Sequence, residues 1–209
     1  MGNTNVFLGD SLIEGALPLD ASTRWTTVYS TAVGKVQDNR GIGGTTMQSG
    51  VGGRTTFDIN NVPVYDSATH NLIFIAYGVN DSVFGGTSSA YGTATSTAVD
   101  GIIAKGWPSQ SIVLVWSWYS GGSDATHSTW RNVLHNVAVV KSTLYLDFSA
   151  PIIADPNKAS YNADGIHPNV AGAQKFAALA QTNIENYIAT ITASKGSILN
   201  IILNMNQYI

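Results

Sequence analysis

The sequence contains no cysteine, and this absence removes a whole group of chemistries. Disulfide bonds, zinc sites with thiolate ligands and cysteine nucleophiles are all excluded. Charge is scarce as well: 11% of the 209 residues are charged, against about 25% in an average domain. The formal net charge is −3 and the sequence has no basic patch to hold a phosphate backbone, so we expect no nucleic-acid partner.

Long apolar runs are also missing. No stretch reaches the roughly 18 consecutive apolar residues that a transmembrane helix needs. The N-terminus lacks the basic segment and apolar stretch of a secretory signal, so we expect neither a membrane span nor a signal peptide. A surface rich in Thr, Ser, Asn, Gln and Gly, with no cysteine, favours an extracellular or virion-associated location over the cytoplasm.

What the sequence does contain is an alternation of short apolar runs with helical patterns. The continuous apolar runs at 71–77 and 111–118 predict strands covered on both faces, as in a parallel sheet. Further strands are predicted at 6–8, 36–39 and 144–148, and helices at 25–34, 88–105, 125–141 and 170–188. This order predicts one α/β domain with a parallel sheet, whose functional groups lie at the carboxyl ends of the strands.

Polar sets follow four of these segments. They lie at 9–11, 39–44, 78–81 and 164–168, where a parallel sheet would bring them to one edge. Acyl transfer requires a nucleophile, a base, a group that orients the base, and donors for the developing oxyanion. The four sets contain residue types suited to each of these roles.

The residues that fit those roles are few. Ser11 is a hydroxyl at a strand end. His167, alone among the four histidines, has both an acid three residues before it and a proline directly after it. Asp164 can face the same way as His167 and fix its tautomer. Gly44 offers a backbone N–H, and Asn80 offers a side-chain amide.

These motifs, in this order, resemble the SGNH (GDSL) hydrolase family. Gly-Asp-Ser-Leu lies at 9–12, Asn-x-x-x-x-Gly at 39–44, Gly-x-Asn-Asp at 78–81 and Asp-x-x-His-Pro at 164–168. The resemblance covers about residues 3–190. It implies a flavodoxin-like, three-layer α/β/α fold with a parallel five-stranded sheet in the order 2-1-3-4-5. The Gly-x-Ser-x-Gly elbow of α/β-hydrolases is a different motif.

The resemblance also implies the site residues. Ser11 is the nucleophile, His167 the general base and then acid, and Asp164 the residue that orients it. The oxyanion donors are the N–H groups of Ser11 and Gly44 and the side-chain amide of Asn80. The adjacent Gly43 stays open as an alternative to Gly44.

Other acids and histidines are interpreted differently. Asp10 is predicted to accept backbone N–H groups at a helix start, and Asp81 to tie loops together. His127 is expected at the surface or partly buried, and with Asp124 it forms an alternative base pair. His70 lies at the amino end of its strand, away from the predicted site. No His, Asp or Glu cluster has metal-ligand spacing, and we expect no metal and no cofactor.

Two aromatic residues end the fourth strand near the predicted site. Trp118 and Tyr119 could stack on a sugar ring or line an acyl pocket, and core packing is the alternative. The function predicted is hydrolysis of short-chain or O-acetyl esters, including those of a polysaccharide. Lipolytic or thioesterase activity is the alternative, followed by a non-catalytic carbohydrate-binding module, against which the complete Ser/Gly/Asn/His set argues.

The C-terminus stands outside the alternation. We assign residues 1–191 to the hydrolase domain and 192–209 to an apolar extension with strand-like content. Because an exposed apolar segment must be covered, we expect it to pack on the domain, on a second copy or on a neighbouring domain.

Overall fold

The sheet has five parallel strands, as predicted. The computed structural model describes residues 2–16 and 18–205, with side chains described as far as Ile188. The strands are β1 (Thr4–Gly9), β2 (Val36–Asn39), β3 (His70–Ala76), β4 (Ile112–Trp116) and β5 (Leu144–Asp147). Their order in the sheet is β2-β1-β3-β4-β5 with every pairing parallel, which confirms the flavodoxin-like topology.

Helices connect the strands. They are α1 (Ser11–Glu14), α2 (Trp25–Ala32), α3 (Val79–Val83), α4 (Ser88–Ala104), α5 (Asp124–Lys141), α6 (Ser149–Ile153) and α7 (Val170–Met205). The four long ones match predicted helices. Of the short helices, only the start of α1 at Asp10 was predicted, because four or five residues give too little periodicity to predict a helix. Among the described residues, none of the helices combines the length and apolarity needed to cross a bilayer.

The strands are continuously apolar because both faces of the sheet are covered. Successive residues of β1 alternate between two cores: Phe7 packs with α2 and α7 residues, whereas Val6 and Leu8 pack with α4 and α5 residues. Aromatic rings fill the first core, where Phe7 stacks on Phe74 with ring centroids 4.6 Å apart. The two cores make the sheet a rigid layer, and its carboxyl edge is where the loops carry polar residues.

The last helix is longer than the sequence predicted. α7 begins at Val170 as expected but continues to Met205. Residues 192–205, which have strand-like content, are therefore helical. Adding a residue to an existing helix gains a hydrogen bond without the cost of nucleation, and this outweighs weak local preference. The proposed boundary after residue 191 and the contacts of the extension fall outside the described side chains, and residues 206–209 outside the description altogether.

Candidate active site

Ser11 lies immediately beyond β1, at the first position of α1. The strand stops at Gly9, where a Cβ would collide with the carbonyl of Ala76 and the side chain of Ile13. Asp10 then caps α1, since its carboxylate accepts the N–H of Leu12 at 3.0 Å, the contact type predicted for it. This close-packed turn holds the half-buried Ser11 at the carboxyl edge of the sheet.

The cap residue is itself unusual. Asp10 is 1% exposed, and its second carboxylate oxygen has no hydrogen-bond partner in the described part of the chain. Burial raises the pKa of Asp10 to about 7, against the opposing effect of the Leu12 N–H and with a further increase from the charge of Asp81. Asp10 therefore supports the turn from inside the protein.

His167 and Asp164 come from one short loop that precedes α7. His167 Nε2 lies 2.9 Å from Ser11 Oγ, and its Nδ1 lies 2.7 Å from Asp164 Oδ2. With the proton on Nδ1, the imidazole donates to Asp164 and accepts from the Ser11 hydroxyl. The structure thus brings together the three residues that the sequence singled out as nucleophile, base and orienting acid.

Asp164 is held in its ionised form. Its Oδ1 accepts the N–H groups of Ile166 at 3.0 Å and His167 at 2.8 Å, and Oδ2 faces the imidazole. Partial burial acts to raise the pKa of Asp164, but these hydrogen bonds from His167 and Ile166 outweigh it and lower the pKa to about 2. A carboxylate that stays charged stabilises an imidazolium beside it.

Asn80 lies in α3, directly after β3, and is 8% exposed. Its Nδ2 donates one hydrogen bond to the carbonyl of Thr45 at 3.0 Å. An amide nitrogen carries two protons, so the second remains to serve an oxygen at the site. The contact also links α3 to the loop that contains the predicted donor glycines.

Three backbone N–H groups at this edge are without a partner. Those of Ser11, Gly43 and Gly44 donate no hydrogen bond within the described residues. Gly44 has φ of 76°, a conformation that favours glycine, and Gly43 lies so that a Cβ on it would be 3.9 Å from Ser11 Cβ. Free donors beside a hydroxyl are what an oxyanion requires.

Asp81 fixes the loop after these glycines. Its carboxylate accepts the N–H of Met47 at 2.9 Å and of Gln48 at 2.7 Å, the loop-tying contact predicted for it. Asn39 plays a similar part on the other side, since its amide donates to the carbonyl of Ile13 at 2.6 Å and accepts the N–H of Gly41 at 3.0 Å. Both residues hold main chain in place.

Tyr119 lies behind the site. It is 6% exposed and packs with Leu12, Val79 and Ile166, and each of these is the sequence neighbour of a predicted site residue. Its hydroxyl lies 3.2 Å from Ser82 Oγ. Packing against α1, α3 and the loop before α7 buries the ring, which favours the core-packing alternative, and a contact with substrate stays a prediction.

Trp118 is also inside the protein. It is 3% exposed and belongs to the core on the α2 and α7 side of the sheet. Its remaining surface lines a cavity of about 430 Å³ together with Ser120, Ile153 and Lys158. The lining of that cavity does not include Ser11 or His167. The burial of Trp118 favours the core-packing alternative, and a contact with substrate stays a prediction.

His127 corrects another expectation. It is fully buried, not at the surface, and both ring nitrogens are occupied: Trp116 Nε1 donates to Nδ1 at 3.2 Å, and Nε2 donates to the carbonyl of Tyr119 at 3.0 Å. Burial lowers the pKa of His127, which keeps it neutral. Asp124 lies instead 3.8 Å from Arg131, so the alternative base pair is not formed.

Two residues that the sequence motifs do not indicate, Arg54 and Phe84, lie next to the predicted donors. A Cβ on Gly44 would lie 2.6 Å from Nη1 of Arg54, whose guanidinium carbon lies 3.6 Å from the centre of the Phe84 ring. Neither residue belongs to a motif, and no local pattern marks them. In the described part of the chain, no three His, Asp or Glu side chains come together in a group that could hold a metal ion.

Known proteins resemble this chain in sequence and in fold. Residues 7–175 match the model of the GDSL-like lipase/acylhydrolase family. No curated protein matches the chain. Among solved structures, a lipase/acylhydrolase from Enterococcus faecalis is similar, with a TM-score of 0.71, 18% identity, and coverage of 90% of this chain and 97% of that one.

Two further structures are similar. TesA superposes with a TM-score of 0.69 at 18% identity, covering 88% of this chain and 98% of its own. A mutant of Axe2, an acetyl-xylooligosaccharide esterase from Geobacillus, gives 0.65 at 18% identity, covering 88% and 94%. At such identities the similarity establishes the fold. With a family match over most of its length, the chain belongs to the GDSL-like lipase/acylhydrolase family and is a hydrolase of ester bonds.

Proposed function

We propose that this protein is a serine esterase that removes short acyl groups, acetyl above all, from hydroxyls of a carbohydrate. The observation that carries the proposal is the hydrogen-bond chain from Ser11 through His167 to Asp164, at 2.9 and 2.7 Å. Beside it lie three backbone N–H groups that donate to no acceptor among the described residues. That is the full set of groups that acyl transfer uses.

The first half of the reaction uses each of these groups once. His167 Nε2 takes the proton of the Ser11 hydroxyl as Oγ attacks the ester carbonyl carbon. The negative charge that develops on the carbonyl oxygen is stabilised by the N–H groups of Ser11 and Gly44 and by Asn80 Nδ2. As the tetrahedral intermediate collapses, His167 returns the proton to the leaving alcohol, and Ser11 carries the acyl group.

The second half repeats the same chemistry with water. His167 Nε2 accepts a proton from a water molecule, which attacks the acyl carbon and forms a second tetrahedral intermediate. Its collapse returns the proton to Ser11 Oγ and releases the carboxylic acid. Throughout, the ionised Asp164 stabilises the imidazolium and keeps the Nδ1 proton in place.

The preference for a small acyl group on a large alcohol is supported by the openness of the edge. The side chains of His167 and Asp164 are 21% and 52% exposed, and Gly43 next to Ser11 is exposed. An open edge leaves room for a bulky leaving group such as a glycan. The fold that this chain shares with the acetyl-xylooligosaccharide esterase is compatible with the same choice.

A chain-length series tests the proposal. We expect purified protein to hydrolyse 4-nitrophenyl acetate, with kcat/KM falling from acetate to octanoate, and to release acetate from acetylated glycans. Ser11→Ala serves as the control for nonenzymatic turnover. A preference for octanoate would overturn the short-acyl assignment in favour of a lipolytic enzyme, and the absence of all ester hydrolysis would overturn the proposed catalytic site.

A further inference from the structure

Arg54 differs from the other basic residues whose side chains the structure describes. Among the residues whose side chains are described, which end at Ile188, every other lysine and arginine has a hydrogen-bond acceptor or a carboxylate within 4.0 Å of its cationic group. The guanidinium of Arg54 has neither, although the residue is half-buried and its Nε is shielded from solvent. A partly desolvated guanidinium without an anion is unfavourable, and a charge-assisted hydrogen bond to an anion would stabilise it.

This guanidinium lies beside Gly44, in the loop that contains the proposed oxyanion donor. Its Nη1 would lie 2.6 Å from a Cβ on Gly44, the residue whose N–H is a proposed oxyanion donor. Its carbon lies 3.6 Å from the centre of the Phe84 ring, and Phe84 directly follows α3, which carries Asn80. Arg54 thus lies between the two segments that provide donors, and the cation–π contact holds its plane fixed.

A fixed, planar guanidinium with free N–H groups recognises carboxylates in bidentate geometry. We propose that Arg54 binds a carboxylate of the substrate, so that the enzyme acts on esters of acidic compounds, in the first place O-acetylated acidic sugars. This inference rests on the proposed function, because it assigns the substrate class of the same site. Phe84 is a positioning residue that keeps the guanidinium aligned, and it is 37% exposed at the rim.

A carboxylate can stand on either side of the ester bond. In an acetylated uronic acid it belongs to the alcohol part, and in a half-ester of a dicarboxylic acid it belongs to the acyl part. Two matched pairs of substrates separate these cases: 4-acetoxybenzoate against 4-acetoxybenzamide, and mono-4-nitrophenyl glutarate against 4-nitrophenyl pentanoate. Within each pair the ester is the same type, and the charge is present in one member alone.

The measurement is the ratio of kcat/KM for the charged and the neutral member of each pair. For 4-acetoxybenzoate we expect Arg54→Gln to lower this ratio roughly 10- to 100-fold, mostly through KM, as for the loss of a hydrogen bond to a charged group. Arg54→Lys keeps the positive charge but not the bidentate geometry of the guanidinium, so it should lower the ratio less. Lys141→Gln, which removes one charge from an ion pair with Asp100 on α4, is the control for net charge and should leave the ratio unchanged.

The outcomes are distinct. Equal loss of kcat on both members of a pair would overturn the inference, because Arg54 would then act on the oxyanion or on the fold. An unchanged ratio in Arg54→Gln would overturn it as well. A drop confined to the glutarate pair supports the carboxylate site and assigns the anion to the acyl part.

Binding separates this inference from the proposed function. Calorimetric titration of Ser11→Ala with galacturonate should show binding that is lost in Ser11→Ala/Arg54→Gln. If esters are not hydrolysed but this difference is found, the proposed catalytic function fails and the anion site stands. If galacturonate binds both variants equally, the anion site is overturned whatever the activity. If it binds neither variant and the ratio for the glutarate pair is also unchanged in Arg54→Gln, the anion site is overturned as well.

Discussion

The carboxyl edge of the sheet has a front and a back that use the same residue types in opposite ways. The front consists of Ser11, Asp164 and His167, and the side chains of its acid and its histidine are 52% and 21% exposed. The back consists of Asp10, Asp81 and His127, which are 1%, 0% and 0% exposed. Both groups contain a histidine with both ring nitrogens bonded.

The difference lies in what the partners allow. In front, His167 faces a hydroxyl and a carboxylate, so its charge can change during a reaction and remain stabilised. At the back, His127 faces an indole N–H and a backbone carbonyl, which fix one neutral tautomer. The charge of the hydrogen-bonded partners therefore determines that His167 can carry a proton, whereas His127 has a structural role.

Removing the front histidine should have the largest effect on activity. We expect His167→Ala to lower kcat roughly 10⁴- to 10⁶-fold, because the base and the acid of both half-reactions are lost. The assay is steady-state hydrolysis of 4-nitrophenyl acetate. Because the two residues act as one unit, Ser11→Ala/His167→Ala should be hardly slower than either single variant, and an additive loss would contradict this arrangement.

An aspartate lies three residues before each of the two histidines, and replacing these aspartates tests the difference between front and back. We expect Asp164→Asn to lower kcat about 10²- to 10⁴-fold, since the amide no longer stabilises the imidazolium or fixes its tautomer. Asp124→Asn is the matched control, because Asp124 is bonded to neither ring nitrogen of His127 and lies near Arg131. Similar losses in the two variants would break the distinction between front and back.

The donor side of the front should give a smaller effect. Asn80→Ala is expected to lower kcat about 10²- to 10³-fold, the range for loss of one oxyanion donor. Asn71→Ala is the control for removing a buried amide, since Asn71 donates to Asn5 near the amino end of the sheet. A loss of less than tenfold in Asn80→Ala would remove Asn80 from the oxyanion site.

Substitutions at the back should change the stability of the protein more than its activity. Burial raises the pKa of Asp10 from 3.8 to about 7, so the folded protein keeps a proton that the unfolded chain releases. The stabilisation is complete below pH 3.8 and is lost as the pH rises through about 7. Relative to Asp10→Asn, the wild type should therefore lose up to about 4 kcal/mol between these limits.

Urea denaturation of both proteins at pH 4.5 and pH 8 measures this difference. Asparagine can still accept the N–H of Leu12, so the cap at α1 is retained as a control for folding. Parallel stability profiles for the two proteins would show that Asp10 titrates normally and would contradict the role of burial.

The smallest effect on activity is expected at His127, the histidine of the back. His127→Gln should lower the free energy of unfolding by about 1–3 kcal/mol, because the buried indole N–H of Trp116 and the buried carbonyl of Tyr119 are then imperfectly paired. Turnover of 4-nitrophenyl acetate should fall by less than tenfold. A loss near that of His167→Ala, in a protein with an unaltered melting curve, would place His127 in the reaction.

The sequence predicted the sheet well because its strands are short, continuously apolar and ended by glycine or polar turns. It also predicted which residues would meet at the edge, since the carboxyl ends of parallel strands lie together. It did not predict the burial of His127, although the spacing of His127, Trp130, Leu134 and Ala138 along α5 marks one buried helix face. A histidine on such a face satisfies its nitrogens through partners that no helical pattern reveals.

Other features depended on contacts between distant segments. Trp118 and Tyr119 follow an apolar strand, and an aromatic pair there has the same local pattern whether its rings face solvent or core. Arg54 is ten residues beyond Gly44 and 30 before Phe84, and its place between them arises from the fold alone. Side-chain direction at the ends of strands is set by tertiary packing, which composition and periodicity do not encode.

The bond between Ser11 and His167 has a consequence for folding experiments, because it joins residues 156 positions apart. Each half of the site is local: the nucleophile turn follows β1, and the histidine and its acid share one loop. A molecule whose C-terminal third has not docked would hold both halves intact and hydrolyse nothing. Turnover during refolding therefore reports the fraction of chains in which the C-terminal part has docked. Circular dichroism reports helix content, so a lag between the two signals measures the time that the final docking step takes.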